Sequence, residues 1–285
     1  MSARARVLVT GAGGQVGCEV VRELAEHGYD VVAADRAALD VADRAAALAA
    51  ITTLVPAAIV HCAAWTAVDA CQGDPDRAYQ VNALGTRHVV EGARRVGAHL
   101  VALSTDYVFD GEKSAPYVEW DAPNPQSSYG RSKLGGELEI GHGAAIVRTS
   151  WVCGAHGSNM LKTILGLAAE HETLTFVDDQ RGHPTFADDL ATMLRVIVAH
   201  RMTGVYHATN QGAVSWFEFA QEVLRATGAD PSRVRPIATS DLRPPRPAPR
   251  PRNSVLDNAA LRLQGVTLLP DFREPLTRLV RTLTA

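Results

Sequence analysis

Near the amino terminus, Val7-Leu8-Val9-Thr10-Gly11-Ala12-Gly13-Gly14-Gln15-Val16-Gly17 sets glycines at positions 11, 14 and 17, after a short apolar run and before a helical stretch. Few features restrict a fold as tightly. A Gly-x-x-Gly-x-x-Gly array between strand and helix suits a tight turn, close backbone approach to a pyrophosphate, and close helix–strand packing. The free N–H groups of the following helix then face the phosphates. In this strand–turn–helix context the array points to a dinucleotide, with a purely structural glycine turn as the alternative. Gly11, Gly14, Gln15, Val16 and Gly17 are the candidate contacts. The second apolar run ends at Asp35-Arg36. A carboxylate there accepts hydrogen bonds from the adenosine ribose and argues for NADH; an adjacent arginine meets a 2′-phosphate and argues for NADPH. Both coenzymes stay open.

The surrounding pattern fits the same architecture. Val7-Leu8-Val9, Asp30-Val31-Val32-Ala33-Ala34, Ala58-Ile59-Val60, Leu100-Val101-Ala102-Leu103 and Ala144-Ala145-Ile146-Val147 read as strands. They lack in/out alternation, as strands do when helices cover both faces of a sheet. Helical stretches near 18–27, 43–54, 75–96 and 128–140 lie between them. The expected fold is α/β: a Rossmann-type doubly wound parallel sheet with a smaller C-terminal α/β substrate-binding domain. Residues 1–150 form the expected dinucleotide-binding domain, with a chain return near 174–203; residues 151–285 form mainly the substrate domain. There, helices are expected near 159–171, 186–200 and 215–227, and strands at Leu174-Thr175-Phe176-Val177 and Gly204-Val205-Tyr206-His207-Ala208. From Arg243 to Arg252, Pro and Arg alternate densely, which reads either as a linker or as an ordered loop offering arginines to a ligand.

Charge and composition narrow the function. With 28 Lys and Arg against 31 Asp and Glu, the chain has no basic footprint for nucleic acid and no polybasic membrane patch. Ala45 to Val68 lacks charged residues, but Pro56, Thr52, Thr53 and His61 divide it into helix, turn and buried strand rather than a membrane span. Met1 to Arg6 runs directly into the first strand, so no secretory signal is expected. Four scattered cysteines (Cys18, Cys62, Cys71 and Cys153) suit neither a disulfide framework nor a zinc knuckle and read as reduced thiols of a cytoplasmic protein.

The candidate chemistry comes from three residues. The fourth strand runs into Ser104-Thr105-Asp106-Tyr107, and Tyr129-Gly130-Arg131-Ser132-Lys133 follows. Tyr129 and Lys133, four apart, share one helix face. A phenol titrates far above neutrality, and a neighbouring ammonium is expected to lower that value. Thr105 falls at the carboxyl edge of a strand, where open α/β sheets bind ligands, and could hydrogen-bond a substrate oxygen.

This combination resembles the extended short-chain dehydrogenase/reductase superfamily, and finer motifs resemble its dTDP-4-dehydrorhamnose reductase family. Those motifs are Gly14-Gln15-Val16-Gly17, Leu39-Asp40-Val41, Ala63-Ala64-Trp65-Thr66-Ala67-Val68-Asp69, Val81-Asn82 and Ser104 to Gly111. They continue through Tyr129 to Lys133, Arg148-Thr149-Ser150-Trp151-Val152, Asp179 to Thr185 and Arg250-Pro251-Arg252-Asn253-Ser254. The resemblance implies hydride transfer from NADPH or NADH to the C4 ketone of a dTDP-4-dehydro-6-deoxyhexose, such as the conversion of dTDP-4-dehydrorhamnose to dTDP-L-rhamnose. It implies Tyr129 as proton donor, Lys133 as its partner and nicotinamide-ribose ligand, and Thr105 as the group polarising the carbonyl. It carries Asp40, Val41, Ala63, Ala64 and Thr66 over to the cofactor, and Val68, Asp106 and Trp151 to the sugar nucleotide. Arg250 and Arg252 are expected on the substrate diphosphate, since guanidinium forks match phosphate oxygens.

Departures from the family also carry expectations. Members commonly have Asn-Ala-Ala-Ala-Tyr-Thr where this chain has His61-Cys62-Ala63-Ala64-Trp65-Thr66, a tyrosine at Cys153 and a phenylalanine at Met160. These changes are expected around the sugar pocket, with Cys62 and Cys153 read most simply as small packing residues. His61 and His183 read as structural rather than acid–base groups. Superfamily members that dehydrate sugars carry Thr-Asp-Glu; here Tyr107 follows Asp106, so elimination lacks its base. The alternatives are a reductase or epimerase of another nucleotide sugar, or a non-catalytic cofactor-binding regulatory subunit. Some bacterial members form a homodimer around magnesium, and Glu19 stands at a comparable place; no full ligand set can be matched, so no metal site is assigned.

Overall fold

The computed structural model describes residues 4–284; Met1 to Ala3, part of the segment expected to lead straight into the first strand, lie outside the described residues. Six strands form the central sheet: β1 (Arg6–Thr10), β2 (Asp30–Ala34), β3 (Ala58–His61), β4 (His99–Thr105), β5 (Ala145–Thr149) and, after four short strands elsewhere, β10 (Gly204–His207). Their order is β10-β5-β4-β3-β1-β2, and every pairing is parallel. The strand sequences explain this burial. Val7, Leu8 and Val9 alternate faces yet are all fully buried, because helices cover both sides.

On one face α1 (Gln15–Glu26) packs against α8 (Ala187–Ala199) through Val20, Leu24, Leu190, Leu194 and Ile197. On the other, α2 (Arg44–Leu54) and α5 (Gly85–Val96) close over Leu8, Ile51, Ile59, Val89 and Ala93. The chain passes from β1 to one edge and then returns to β1's other side with β3, so the order reverses between β1 and β3. A crevice opens there, beyond the carboxyl ends of the strands. Register aligns those ends: Thr10 faces both Ala34 and His61, and Thr105 faces Thr149.

The expected helix at 75–96 is one continuous rod of α4 (Pro75–Tyr79), a π-turn (Gln80–Leu84) and α5. The catalytic candidates ride on α6 (Ser128–Glu139), whose start is set by Ser127: its hydroxyl accepts the Gly130 N–H at 3.1 Å. A short helix, α3 (Val68–Gly73), follows β3.

The second unit is built differently. Helices α7 (Met160–Glu170), α9 (Trp216–Ala226) and α11 (Arg273–Thr284) enclose a core of Phe176, Phe186, Phe219 and Phe272. Its strands are short pairs: β6 (Val152–Cys153) with β9 (Thr185–Phe186), β8 (Arg181–Gly182) with β11 (Val214–Ser215), and β7 (Leu174–Val177) with β12 (Val234–Ile237). The short helix α10 (Ala259–Leu263) instead leans on β10 of the main sheet.

This corrects the expected chain return. Leu174–Val177 does not rejoin the large sheet; the return begins with α8 and is completed by β10 beside β5. The reason is visible in the strand itself. Leu174 and Phe176 are buried while Thr175 is exposed, the mark of a sheet covered on one side only.

Candidate active site and cofactor crevice

The crevice begins at the glycine turn, where space rather than flexibility decides the residue. A Cβ on Gly17 would lie 2.2 Å from the Gly11 carbonyl oxygen, and one on Gly11, at φ +66°, would lie 2.6 Å from the Ala63 nitrogen. The turn is thereby pressed against the segment leaving β3. From Gly11 and Gly14 a cavity of about 410 Å³ runs outward past Asp35, Arg36, Asp40, Val41, Ala63 and Ala64. Asp35 is held by the Ala38 N–H at 2.8 Å, and Arg36 is exposed. A second cavity of about 570 Å³ meets it over Gly11, Gly14, Cys62 and Ala64. Gln15, Val16, Gly17, Thr66 and Val68 line its near side, and Thr105, Asp106, Tyr129, Lys133 and Trp151 its far end. An elongated trough, glycine-lined at its middle and with the Asp35 carboxylate at one end, fits a dinucleotide.

Asn82 braces this trough from below. From the π-turn its amide oxygen accepts the Trp65 N–H at 2.7 Å, while its nitrogen donates to the Trp65 carbonyl at 3.1 Å and to Ser132 Oγ at 2.9 Å. One side chain thus couples the loop after β3 to α6, and the π-turn is the irregularity that aims it. The Val81-Asn82 pair was visible in the sequence, but only as a motif without a role.

The three chemical candidates meet at the far end. Gly130 lets α6 approach closely, since a Cβ there would stand 2.1 Å from the Tyr107 carbonyl oxygen. Tyr129, Thr105 and Lys133 are nearly buried yet line the cavity. Thr105 Oγ1 accepts the Tyr107 N–H at 3.2 Å and donates to Asp106 Oδ1 at 3.0 Å. Lys133 Nζ donates to the Leu103 carbonyl at 2.7 Å.

Their electrostatics depart from expectation. Burial pushes the Tyr129 phenol above its ordinary value, and the Thr105 hydroxyl offsets only part of that. Lys133 does not make the phenol acidic; burial lowers the lysine itself to about 8, resisted by Glu137 and Cys62. The low-dielectric setting that shields the site penalises both charged forms, and it outweighs their mutual attraction. Asp106 is likewise raised, to about 6, by burial, with the Ser254 and Thr105 hydroxyls opposing; its Oδ2 has no hydrogen-bond partner among the described residues.

On the sugar side, Trp151 adopts a left-handed backbone, φ +46°. Its ring is fixed between Gly182, where a Cβ would lie 2.6 Å away, and Trp216, stacked at 3.5 Å and 8°. Trp216 also lines the cavity, and sequence reasoning missed it; nothing local distinguishes it from a core tryptophan. The expected diphosphate arginines do not line either cavity. Arg250 is clamped onto Asp69, with Nη1–Oδ1 and Nη2–Oδ2 both 2.7 Å, and Arg252 is exposed. The Pro/Arg stretch is therefore an ordered loop fastened to α3, because a carboxylate of the chain itself neutralises its arginine.

The departures from the family pattern divide: Cys62 lines the cavity shared with Thr105, Tyr129 and Lys133, whereas Trp65, Cys153 and Met160 lie elsewhere than expected. Trp65 lines the adenosine-side cavity and carries Arg77 over its ring at 4.5 Å. Cys153 is buried in the aromatic core and Met160 packs against it. None of the three lines the far end. His61 bonds Thr10 Oγ1 at 2.7 Å and Thr86 Oγ1 at 3.2 Å, and burial, aided by Lys133, lowers it to about 3. His183 bonds Thr209 Oγ1 at 3.1 Å and is lowered to about 4 by burial. Both stay neutral and structural. Glu19 is engaged by Arg22 at 2.8 Å, and no group of three or more metal-ligating side chains occurs among the described residues. No described helix is long and apolar enough to cross a membrane.

A family model described as RmlD substrate binding domain matches residues 5–285. A dTDP-4-dehydrorhamnose reductase of Streptomyces griseus is 44% identical over 283 residues, covering 96% of this chain and 92% of that protein. A probable dTDP-4,6-dihydroxy-2-methyloxan-3-one 4-ketoreductase of Streptomyces antibioticus is 42% identical, covering 95% and 93%. Among solved structures, a dTDP-4-dehydrorhamnose reductase of Bacillus anthracis in complex with NADP superposes with a TM-score of 0.94 at 36% identity, covering 98% of this chain and 100% of that one.

Proposed function

The chain belongs to the RmlD substrate-binding-domain family, and from that premise we propose that it reduces the C4 ketone of a dTDP-4-dehydro-6-deoxyhexose with NADPH or NADH. The leading substrate is dTDP-4-dehydrorhamnose and the product dTDP-L-rhamnose. The observation that carries this reading is the single trough joining the glycine turn to Thr105, Tyr129 and Lys133.

The bound dinucleotide supplies the hydride. Gly11, Gly14, Gln15, Val16 and Gly17 hold its pyrophosphate, and Asp35, Arg36, Asp40, Val41, Ala63, Ala64 and Thr66 its adenosine side and approach. Tyr129 gives its phenolic proton to the oxygen that was the ketone. Burial keeps the phenol protonated, the form a proton donor needs, and at the same time makes it a weaker acid than a free phenol. Thr105 hydrogen-bonds the same oxygen, and Lys133 binds ribose hydroxyls from its seat on Leu103. Asp106, Val68 and Trp151 contact the sugar. Tyr107, raised to about 12 mainly by burial, cannot act as the carbon base that elimination requires.

The division of labour we propose gives the cofactor residues up to 150 together with α8 and β10, and the nucleotide sugar most of the remainder. The reaction belongs in the cytoplasm. A neighbouring 4-keto-deoxysugar is the second reading, favoured by the Streptomyces antibioticus relative. The test is oxidation of NADPH and NADH against a panel of dTDP-keto-sugars. Turnover of dTDP-4-dehydrorhamnose is expected, and cofactor binding without turnover of any of them would overturn the assignment.

A further inference from the structure

Behind Lys133 lies a buried ionic cluster that the hydride transfer does not use. Glu137 stands one helical turn beyond Lys133 on α6. Arg148, on β5, grips its carboxylate with Nε–Oε1 at 2.9 Å and Nη2–Oε2 at 2.7 Å. Ser104 Oγ, on β4, donates to Oε1 at 2.5 Å. Ser104 and Arg148 face each other in the sheet register, so one carboxylate ties two strands to the helix. All three side chains are buried, and Glu137, Ser104 and Lys133 line one small cavity of about 10 Å³.

The position of Ser104 gives the cluster its meaning. Leu103, just before it, supplies the carbonyl that seats Lys133; Thr105, just after it, lines the same cavity as Tyr129. We propose that Glu137 is a positioning residue of the catalytic centre, locking the strand that presents Leu103 and Thr105 onto the helix that carries Tyr129 and Lys133. The inference rests on the ketoreductase reading of the crevice.

Stability alone does not explain such a cluster, since buried ion pairs are often replaceable by apolar residues at little cost. Its charge has a second consequence. Lys133 faces Tyr129 on its own helix and His61 and Cys62 at the end of β3. Burial holds His61 near 3 and Cys62 near 12, so both are neutral at working pH, and the phenol is raised and neutral too. Glu137 is the anion that opposes the loss of Lys133's proton.

The chain has three lysines, Lys113, Lys133 and Lys162, so lysine labelled with carbon-13 at Cε reports Lys133 against two internal controls. In the cofactor-free protein, Glu137→Gln should lower the Lys133 midpoint by roughly half a unit or more. The double variant Glu137→Gln/Arg148→Met, which leaves no unpaired buried cation, should do the same and keeps the test alive if the single variant folds poorly. With substrate, kcat should fall about tenfold or more with KM and cofactor Kd near wild type. The basic limb of the kcat profile should move down with the Lys133 midpoint. An unmoved Lys133 titration, with a kcat loss equal at every pH, would reduce Glu137 to scaffolding and overturn the inference. Absence of keto-sugar turnover in the wild type would instead sink the functional reading, leaving the lysine titration to judge the electrostatic half.

Discussion

In the sheet half, the glycine turn, Thr105 and Tyr129 leave the carboxyl end of a regular strand or the first turn of a helix, and their positions follow from strand register. In the C-terminal half the cavity is lined by a left-handed tryptophan and a stacked indole, while the proline-rich loop, fastened by the Asp69–Arg250 pair and by backbone hydrogen bonds to Arg181 and Gly111, lies outside it. The first half builds with backbone that cannot vary without dismantling the sheet. The second builds with side chains and loops that can change while its aromatic core stays intact. That contrast suits a reductase family whose named keto-sugar substrates differ between relatives.

The sharpest way to break this division is at the reacting end. Tyr129→Phe keeps the ring and removes the proton, so kcat should fall by about 10³-fold with cofactor Kd unchanged, measured by single-turnover kinetics and fluorescence titration. Full turnover would remove the phenol from the mechanism. Gly17→Ala tests whether the sheet half owns the cofactor. Its Cβ would lie 2.2 Å from a carbonyl oxygen, so the turn must shift. Kd for the coenzyme should rise by roughly tenfold to a hundredfold. A greater loss of sugar-nucleotide binding than of coenzyme binding would contradict the division.

Asp69→Asn tests the other half. It leaves Arg250, only 9% exposed, without its carboxylate, and should release the loop that carries Arg252. The KM for the sugar nucleotide should rise about tenfold while coenzyme Kd holds. Arg252→Ala should follow the same pattern if that exposed guanidinium meets the diphosphate. Equal effects on both ligands would show that the loop serves the whole fold.

The smallest expected effect is on stability. His61 and His207, both on sheet strands, are lowered by burial from 6.5 to about 3. Each is neutral when folded and gains a proton more readily when unfolded. Their contribution is therefore complete above about 6.5 and is lost progressively as pH falls toward 3. Urea midpoints should drop between neutral pH and mildly acid conditions. His207→Gln should flatten that dependence, and an unchanged slope would exclude His207 as a source.

Much was legible before the fold was known because it is local. The Gly11–Gly17 array, the apolar runs without alternation and the Tyr129–Lys133 spacing are each set within one or two turns of chain, where sterics and helix periodicity act directly. They determined the parallel sheet and brought the glycine turn, Thr105, Tyr129 and Lys133 to one crevice. Distant partners were beyond that reach. Sequence could not show that Asp69 would capture Arg250, that Trp216 would back Trp151, or that Leu174–Val177 would join Val234–Ile237. Nor could it show that burial would raise Tyr129 and lower Lys133 together. Each of these depends on which groups approach from far along the chain and on how much water they exclude, and only the packed tertiary structure decides that.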